Sequence, residues 1–178
     1  MINLRIAICG DSYSAVNSSS TCYPEIVESY SWIHDLQERY SVECYAESGR
    51  SNFDILKQVK RCDEPIIITN VTSLHRTTFS MTLRSVNISK QDLVNYNLKY
   101  ARLIAQLSDI CWTPFVGYET IPEIQYLPFE RENEMYNERL GSELTKHHLT
   151  RQGNEMLRDE MLYQIEKIRR TNVKATKR

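Results

Sequence analysis

The segment Leu4-Arg5-Ile6-Ala7-Ile8-Cys9-Gly10-Asp11-Ser12 opens the chain with an apolar run that leads directly into Gly-Asp-Ser. An apolar run bounded by glycine is typical of a buried β-strand, and Gly10 allows a sharp turn where the strand ends. In open α/β sheets, ligands bind at the carboxyl edge of the strands. The segment therefore predicts a strand that presents Ser12 at a ligand-binding edge.

The rest of the chain alternates between short apolar runs and segments with helical periodicity. The predicted strands are 4–9, 42–46, 65–69 and 110–116. Apolar residues three and four positions apart predict helices over 24–40, 52–62 and 152–169, and Ser89 begins a capping sequence for a helix that ends near Leu107. Strands that alternate with helices imply a mostly parallel sheet covered on both faces. The predicted fold class is α/β, a three-layer α/β/α sandwich.

Length and composition indicate one globular domain of ordinary character. The 178 residues suffice to bury a full core, and 41% hydrophobic with 25% charged residues is typical of such a domain. The net charge of −1 argues against bulk electrostatic binding of nucleic acid or of a membrane surface. We predict a single domain over residues 1–166, followed by a basic tail over 167–178.

The cysteines are odd in number, widely scattered and without the spacing of a metal site: Cys9, Cys22, Cys44, Cys62 and Cys111. This usage predicts reduced thiols without disulfides in a cytoplasmic protein. No apolar run approaches the ~18 residues of a membrane span. We therefore expect no metal site, no cofactor and no membrane contact.

A second group of reactive side chains lies near the end of the chain, at His147-His148-Leu149-Thr150 with Gly153-Asn154 shortly after. An early serine and a late histidine are a pattern typical of a nucleophile and its general base. Ser12 is the candidate nucleophile, and either His147 or His148 is the candidate base.

Four segments together resemble the SGNH (GDSL-type) hydrolase family, in the order in which that family has them. Gly10-Asp11-Ser12 resembles its first block, Ser48-Gly49-Arg50-Ser51-Asn52 its second, and residues 66–73 occupy the place of its third. His148-Leu149-Thr150, followed by Gly153-Asn154, resembles its last block. The resemblance covers roughly residues 4 to 160, and it implies a flavodoxin-like sheet.

The resemblance implies a serine esterase or acyl hydrolase that acts on an ester or an acylated carbohydrate without a cofactor. Ser12 would be the nucleophile, and the match of the last block selects His148 as the base. The backbone N–H groups of Ser12 and Gly49 would form the oxyanion hole, with Asn70 or Thr72 as the third donor. Preorganised donors of this kind contribute about 10²–10³ each to the rate.

Two positions depart from the family pattern. The third block is usually Gly-x-Asn-Asp, whereas here Thr72 stands where its Asn belongs. The last block is usually Asp-x-x-His, whereas Thr145 stands three residues before His148. Glu143 could replace the missing acid if the loop bends back, or a Ser-His dyad could be oriented by Thr145 or by a backbone carbonyl.

Three segments of the chain are additional to the strands and helices that an α/β/α sandwich requires. Residues 65–91 contain no acidic residue, and their His75 and Arg76 either bind an anionic part of the substrate or belong to a solvated loop. Residues 117–143 are rich in Glu and form a lid, a subunit contact or a solvated insertion. The tail from Lys167 to Arg178 finishes a helix and is then either frayed or a phosphate-binding arm, the one predicted route to nucleic acid.

Two other functions fit the same residues. A catalytically impaired SGNH-fold protein would serve in an assembly, as a homo-oligomer or as a virion component, since small SGNH-like chains of bacteriophages have this general appearance. A flavodoxin-like module that holds a phosphate would need a glycine-rich cradle, and the loop after Cys9 contains only Gly10. The enzyme interpretation predicts a hydrogen bond between Ser12 and His148 and an acceptor for the other imidazole nitrogen.

Overall fold

In a computed structural model, the described residues are 4–14, 31–76, 89–129, 135–140, 143–149 and 151–175. Within 135–148 and 172–175 the description covers the backbone alone. The chain divides into two compact units, one formed by residues 1–24 and 40–128 and the other by residues 25–39 and 129–178.

The first unit is built on a parallel sheet of five strands. In chain order these are β1 (Arg5–Cys9), β2 (Ser41–Cys44), β3 (Ile66–Asn70), β4 (Ile110–Thr113) and β5 (Ile124–Tyr126). They lie side by side in the order β2-β1-β3-β4-β5, and every neighbouring pair is parallel. This is the flavodoxin-like strand order, in which ligands bind where β1 and β3 separate at the carboxyl edge.

Four helices are described: α1 (Trp32–Gln37), α2 (Asn52–Val59), α3 (Lys90–Leu107) and α4 (Arg151–Ala175). A serine caps the start of both α2 and α3, because Ser51 Oγ accepts from the N–H of Asp54 and Ser89 Oγ accepts from that of Asp92. The capped start at Ser89 confirms the prediction for that helix. The parallel sheet flanked by helices confirms the predicted three-layer α/β/α class.

The interior of the first unit lies along β1, β3 and the helices that cover them. Ile6, Ile8 and Ile68 are fully buried, as expected for central strands of a parallel sheet. On one face, apolar side chains of α2 and α3 form a single cluster with those of β1 and β4, and this cluster includes Ile55, Val59, Ala101, Ile104, Cys9 and Cys111. This packing fixes the carboxyl ends of the strands, where the candidate site lies.

The second unit combines α1, α4 and an antiparallel hairpin of β6 (Met135–Leu140) and β7 (Glu143–Leu149). Asn154 joins the three parts, because its Oδ1 accepts from the N–H of Trp32 at 3.2 Å and its Nδ2 donates to the carbonyl of Leu149 at 3.3 Å. An ion pair of 3.0 Å between Arg158 and Asp35 adds a second link between α4 and α1.

Several element boundaries differ from the sequence prediction. The fourth strand ends at Thr113 rather than at 116, because Pro114 follows and cannot donate to a sheet. Strand β5 and the β6–β7 hairpin were not predicted; β5 has three residues, too few for a period to be recognised. Helix α4 continues to Ala175, past the predicted end at Arg169 and through much of the predicted tail. The first half of the predicted helix 24–40 lies outside the described residues.

No helix in the part of the chain that the structure describes is both long and apolar enough to cross a membrane. The four cysteines with described side chains, Cys9, Cys44, Cys62 and Cys111, are free thiols. Cys22 lies outside the described residues.

Candidate active site

A tight turn after β1 carries Ser12. Gly10 has a φ of 149°, and a Cβ at this position would collide with Oδ1 of Asn70, so only glycine fits. Its N–H donates to Oε1 of Gln58 at 2.8 Å, which ties the turn to α2. The N–H of Ser14 closes the turn on the carbonyl of Asp11 at 3.1 Å. Ser12, 8% exposed, is thus held at the carboxyl edge of β1, as the sequence predicts.

Asp11 is a buried carboxylate that Asn70 holds from two sides. Nδ2 of Asn70 donates to Asp11 Oδ1 at 2.8 Å, and the N–H of Asp11 donates to Asn70 Oδ1 at 3.2 Å. The N–H of Tyr13 donates to the same Asp11 oxygen at 3.1 Å. The Oδ2 atom of Asp11 is buried without a hydrogen-bond partner among the described residues. The end of β1 is therefore fastened to the end of β3 next to Ser12.

Thr72 follows β3 and is held through its peptide groups. Its N–H donates to Asn52 Oδ1 at 3.0 Å, Asn52 Nδ2 donates to the hydroxyl of Tyr118 at 2.8 Å, and that hydroxyl donates to the carbonyl of Thr72. The Thr72 Oγ1 atom is buried and has no hydrogen-bond partner within the described part of the chain. Thr72, Asn52 and Tyr118 thus form a closed ring of hydrogen bonds, the Asn52–Tyr118 ring, which restrains the backbone of Thr72. The Thr72 hydroxyl takes no part in this ring.

The two tyrosines beside these groups are held in the neutral form. Burial, with a contribution from the charge of Asp11, raises the pKa of Tyr13, and the charge of Arg76 partly opposes this. Burial also raises the pKa of Tyr118, against the hydrogen bond from Asn52. The ring of Tyr13 contacts that of Phe115 edge to face, with 5.7 Å between the centroids. Both hydroxyls therefore stay protonated at neutral pH.

Gly49 lies in the exposed loop between β2 and α2. Its φ of 77° requires glycine for conformational reasons, although nothing described lies within 4 Å of a Cβ built there. The same loop is bound to the turn of Ser12, because the N–H of Glu47 donates to the carbonyl of Gly10 at 3.2 Å. The loop of Gly49 and the turn of Ser12 thus share one edge of the sheet.

His75 and Arg76 belong to the segment after β3, at that same edge. The Nδ2 atom of Asn97, on α3, donates to the carbonyls of Leu74 and Arg76 at 2.7 and 3.1 Å and so anchors the segment. The side chain of His75 is exposed and that of Arg76 is half-buried. The first unit therefore brings together all the predicted site residues except the histidine base.

His148 lies on β7 in the second unit, where its register partner on β6 is Tyr136. Its side chain and that of His147 lie outside what the structure describes. Thr145 and Glu143 lie on the same strand, and the pairing of β6 with β7 is irregular opposite residues 146–148. The backbone of β7 does not test whether Thr145 or Glu143 orients the imidazole, so that expectation stays a prediction.

Three residues of the site had no predicted role. Gln58 holds Gly10, Asn52 holds Thr72, and Tyr118 completes the ring. A signal for Gln58 was present, since it is a polar residue three positions after Ile55 on the apolar face of α2. Tyr118 gave no signal, because it lies in a segment assigned to an insertion. In the part of the chain described with side chains, no group of three His, Cys, Asp or Glu residues could hold a metal ion.

The strand order and the helices that flank the sheet define a flavodoxin-like α/β/α fold. Among solved structures, the chain is similar to the psychrotrophic esterase EstA from Pseudoalteromonas sp., in a crystal structure inhibited by monoethylphosphonate. The TM-score is 0.54 at 13% sequence identity, and the match covers 93% of this chain and 98% of that chain. No protein-family model and no curated protein matches this sequence. The predicted phage origin has no support in these comparisons and stays a prediction.

Proposed function

We propose that this chain is a serine ester hydrolase in which Ser12 is the nucleophile. The observation that carries the proposal is the turn of residues 10–12, which the paired Asp11 and Asn70 hold at the carboxyl edge of β1 in an esterase-like fold. In the proposed reaction, Ser12 Oγ attacks the acyl carbonyl while His148 accepts its proton. His148 then returns the proton to the leaving alcohol, and water hydrolyses the acyl-enzyme.

For the oxyanion hole we propose the N–H groups of Ser12 and Gly49 together with the hydroxyl of Thr72. Asn70 is the weaker third donor, because its Nδ2 already donates to the buried Asp11 carboxylate. The hydroxyl of Thr72 has a proton to donate, and the Asn52–Tyr118 ring restrains its backbone. A threonine hydroxyl would thus replace the side-chain amide that the SGNH pattern has at this position.

The proposed base lacks the family's acid, because Thr145 stands three residues before His148 where the SGNH pattern has Asp. His148 would form a dyad with Ser12, its second nitrogen bound to a backbone carbonyl or to a carboxylate remote in sequence. Replacing the acid of a Ser-His-Asp triad lowers turnover by about 10⁴-fold, because the imidazole is then held in the wrong tautomer. We therefore expect slow hydrolysis that is nevertheless dependent on Ser12.

The proposed substrate is a small ester or an acylated carbohydrate. A cavity of about 90 Å³ beside β5 is lined largely by apolar side chains, among them Phe115, Ile121 and Ile124, and its wall residue Phe115 contacts Tyr13. A cavity of this size suits a short acyl chain rather than a long one. His75 and Arg76 lie at the same edge and would bind an anionic part of the substrate.

The experiment that tests this function is labelling of the purified chain with a fluorophosphonate, followed by mass spectrometry of the modified peptide. We expect one adduct on Ser12, its absence from Ser12→Ala, and a strong loss of rate in His148→Ala. Ser14→Ala is the matched control, because it removes a buried hydroxyl from the same turn and should label like the wild type.

A second candidate function is a catalytically impaired assembly protein, as a homo-oligomer or virion component. The observation in its favour is that Thr145 stands three residues before His148, where the SGNH pattern has its Asp. A folded wild-type chain that gives no Ser12 adduct, and hydrolyses neither p-nitrophenyl acetate nor acetylated xylan, would favour this candidate.

A further inference from the structure

Two cysteine sulfur atoms lie in contact next to the Gly-Asp-Ser turn. Cys9 ends β1 and is fully buried, and Cys62 follows α2 and is half-buried. Their Sγ atoms are 3.4 Å apart and share a hydrogen. The two cysteines are 53 positions apart in sequence, so they meet only because α2 packs onto β1.

The two thiols differ in exposure and in acidity. The hydrogen bond from Cys9 lowers the pKa of Cys62, an effect that outweighs burial and the charges of Glu64 and Asp63. The same bond, together with burial, raises the pKa of Cys9. Cys62 is therefore the partner that reaches solvent and forms the thiolate, the reactive form of the group. Cys9 is the protonated partner directly behind it.

The other described cysteines are placed less well for this chemistry. Cys44 pairs in register with Ile8, so it lies on the face of the sheet opposite to Cys9, and its Sγ contacts the carbonyl of Ser14. Cys111 is buried in the apolar cluster, and burial raises its pKa to about 12.

We propose that Cys9 and Cys62 are a redox modification site, which a hydroperoxide converts to a disulfide that controls the turn of Ser12. The Cys62 thiolate attacks the terminal oxygen of the peroxide, which breaks the O–O bond and gives a Cys62 sulfenic acid and an alkoxide, or hydroxide from hydrogen peroxide, which takes up the proton that Cys62 released. The Cys9 sulfur then attacks the Cys62 sulfur, its proton leaves with the displaced hydroxide as water, and the S–S bond forms. The two thiols are oxidised and the peroxide is reduced to water and an alcohol, or to two waters.

Bond formation acts on the candidate site through Gln58. Its side chain holds the N–H of Gly10, and its carbonyl accepts from the Cys62 thiol at 3.3 Å. An S–S bond is about 2.05 Å long, so the two sulfur atoms must approach each other by roughly 1.4 Å from the present contact. Oxidation also removes the thiol hydrogen that the Gln58 carbonyl accepts, and it changes the side chain of Cys9, the residue before Gly10.

The test is oxidation of the reduced full-length chain with one equivalent of hydrogen peroxide, then blocking with N-ethylmaleimide and digestion without reductant. Cleavage before aspartate separates residues 1–10, which contain Cys9, from Cys22, and releases Cys62 in residues 54–62. We expect one linked species of these two peptides, released by dithiothreitol. It should be absent from Cys62→Ser and from Cys9→Ala, and undiminished in Cys44→Ser.

A link that contains Cys22 or Cys44, or Cys62 oxidised beyond sulfenic acid with Cys9 still a free thiol, would overturn the proposal. Control of the turn is read separately, as at least a tenfold slower fluorophosphonate labelling of Ser12 in the oxidised chain, restored by dithiothreitol. An unchanged labelling rate would overturn the proposal that the disulfide controls the turn of Ser12. The labelling rate rests on the proposed function of Ser12, whereas the linked peptide is detected by its mass and does not depend on that function. A failure of the disulfide proposal can therefore be distinguished from a failure of the proposed function.

Discussion

Asn70 at the end of β3 binds Asp11 through both atoms of its amide, with Nδ2 donating to the carboxylate at 2.8 Å and Oδ1 accepting from the Asp11 N–H at 3.2 Å. The pair lies at the point where β1 and β3 separate, next to Ser12. It gives Asp11 a structural role as the acceptor that shapes the turn. It also occupies the side-chain amide of Asn70, which is one of the two candidates for the third oxyanion donor.

Replacing Asn70 by Ala is expected to lower the free energy of unfolding by about 2–3 kcal/mol, because the buried Asp11 loses its charge-assisted donor. Asn95→Ala is the matched control, since Asn95 is an exposed amide on α3 whose oxygen accepts from the neighbouring Gln91 side chain. Urea unfolding followed by fluorescence measures both variants. Equal midpoints for the two variants would contradict the role given to the Asn70–Asp11 pair.

Two glycine-to-alanine substitutions should lower the free energy of unfolding by clearly different amounts. Gly10→Ala meets both a positive φ and a collision with Asn70, so we expect a loss of about 3–5 kcal/mol. Gly49→Ala meets a positive φ in open space, so we expect about 1–2 kcal/mol. Thermal unfolding of the two variants side by side measures the difference. A Gly49→Ala variant as unstable as Gly10→Ala would contradict the open space around Gly49.

Thr72→Val separates the proposed catalytic role of the hydroxyl from packing. The swap keeps the side-chain shape and removes a buried hydroxyl that has no described partner, so stability should be unchanged or slightly higher. The rate of fluorophosphonate labelling, and of p-nitrophenyl acetate hydrolysis, should fall about 10²–10³-fold. Thr72→Ser keeps the donor and should retain most of the rate. Full activity in a stable Thr72→Val variant would exclude the hydroxyl as an oxyanion donor.

Buried tyrosines predict a loss of stability at alkaline pH. The pKa of Tyr13 is raised in the folded chain. Its contribution to the free energy of unfolding is therefore complete below the unfolded pKa of about 10. That contribution is lost as pH rises above this value, because only the unfolded state ionises there. Between about pH 10 and 12 the wild type should therefore lose unfolding free energy faster than Tyr13→Phe. Tyr163→Phe removes an exposed phenol and should follow the wild-type curve. Parallel curves for all three proteins would contradict the assignment.

Local pattern alone determined the strand before Gly10, the strand before Asn70 and the capped helix at Ser89. These elements depend on residues close in sequence, either on a short apolar run or on a serine three positions before its partner. The alternation of strands and helices then determined the parallel fold class. The position of Ser12 at the carboxyl edge followed from the same reasoning, because the edge of a parallel sheet is a consequence of strand direction.

Tertiary structure alone decided which polar groups meet at that edge. Asn70 reaches Asp11 across 59 residues, Tyr118 reaches Thr72 across 46, and Cys9 reaches Cys62 across 53. No local period encodes such contacts, because the intervening chain forms strands and helices whose packing sets the distance. The extended course of β7 was likewise decided by its pairing with β6. The sequence by itself therefore determined where Ser12 stands, and the packing of distant segments decided what surrounds it.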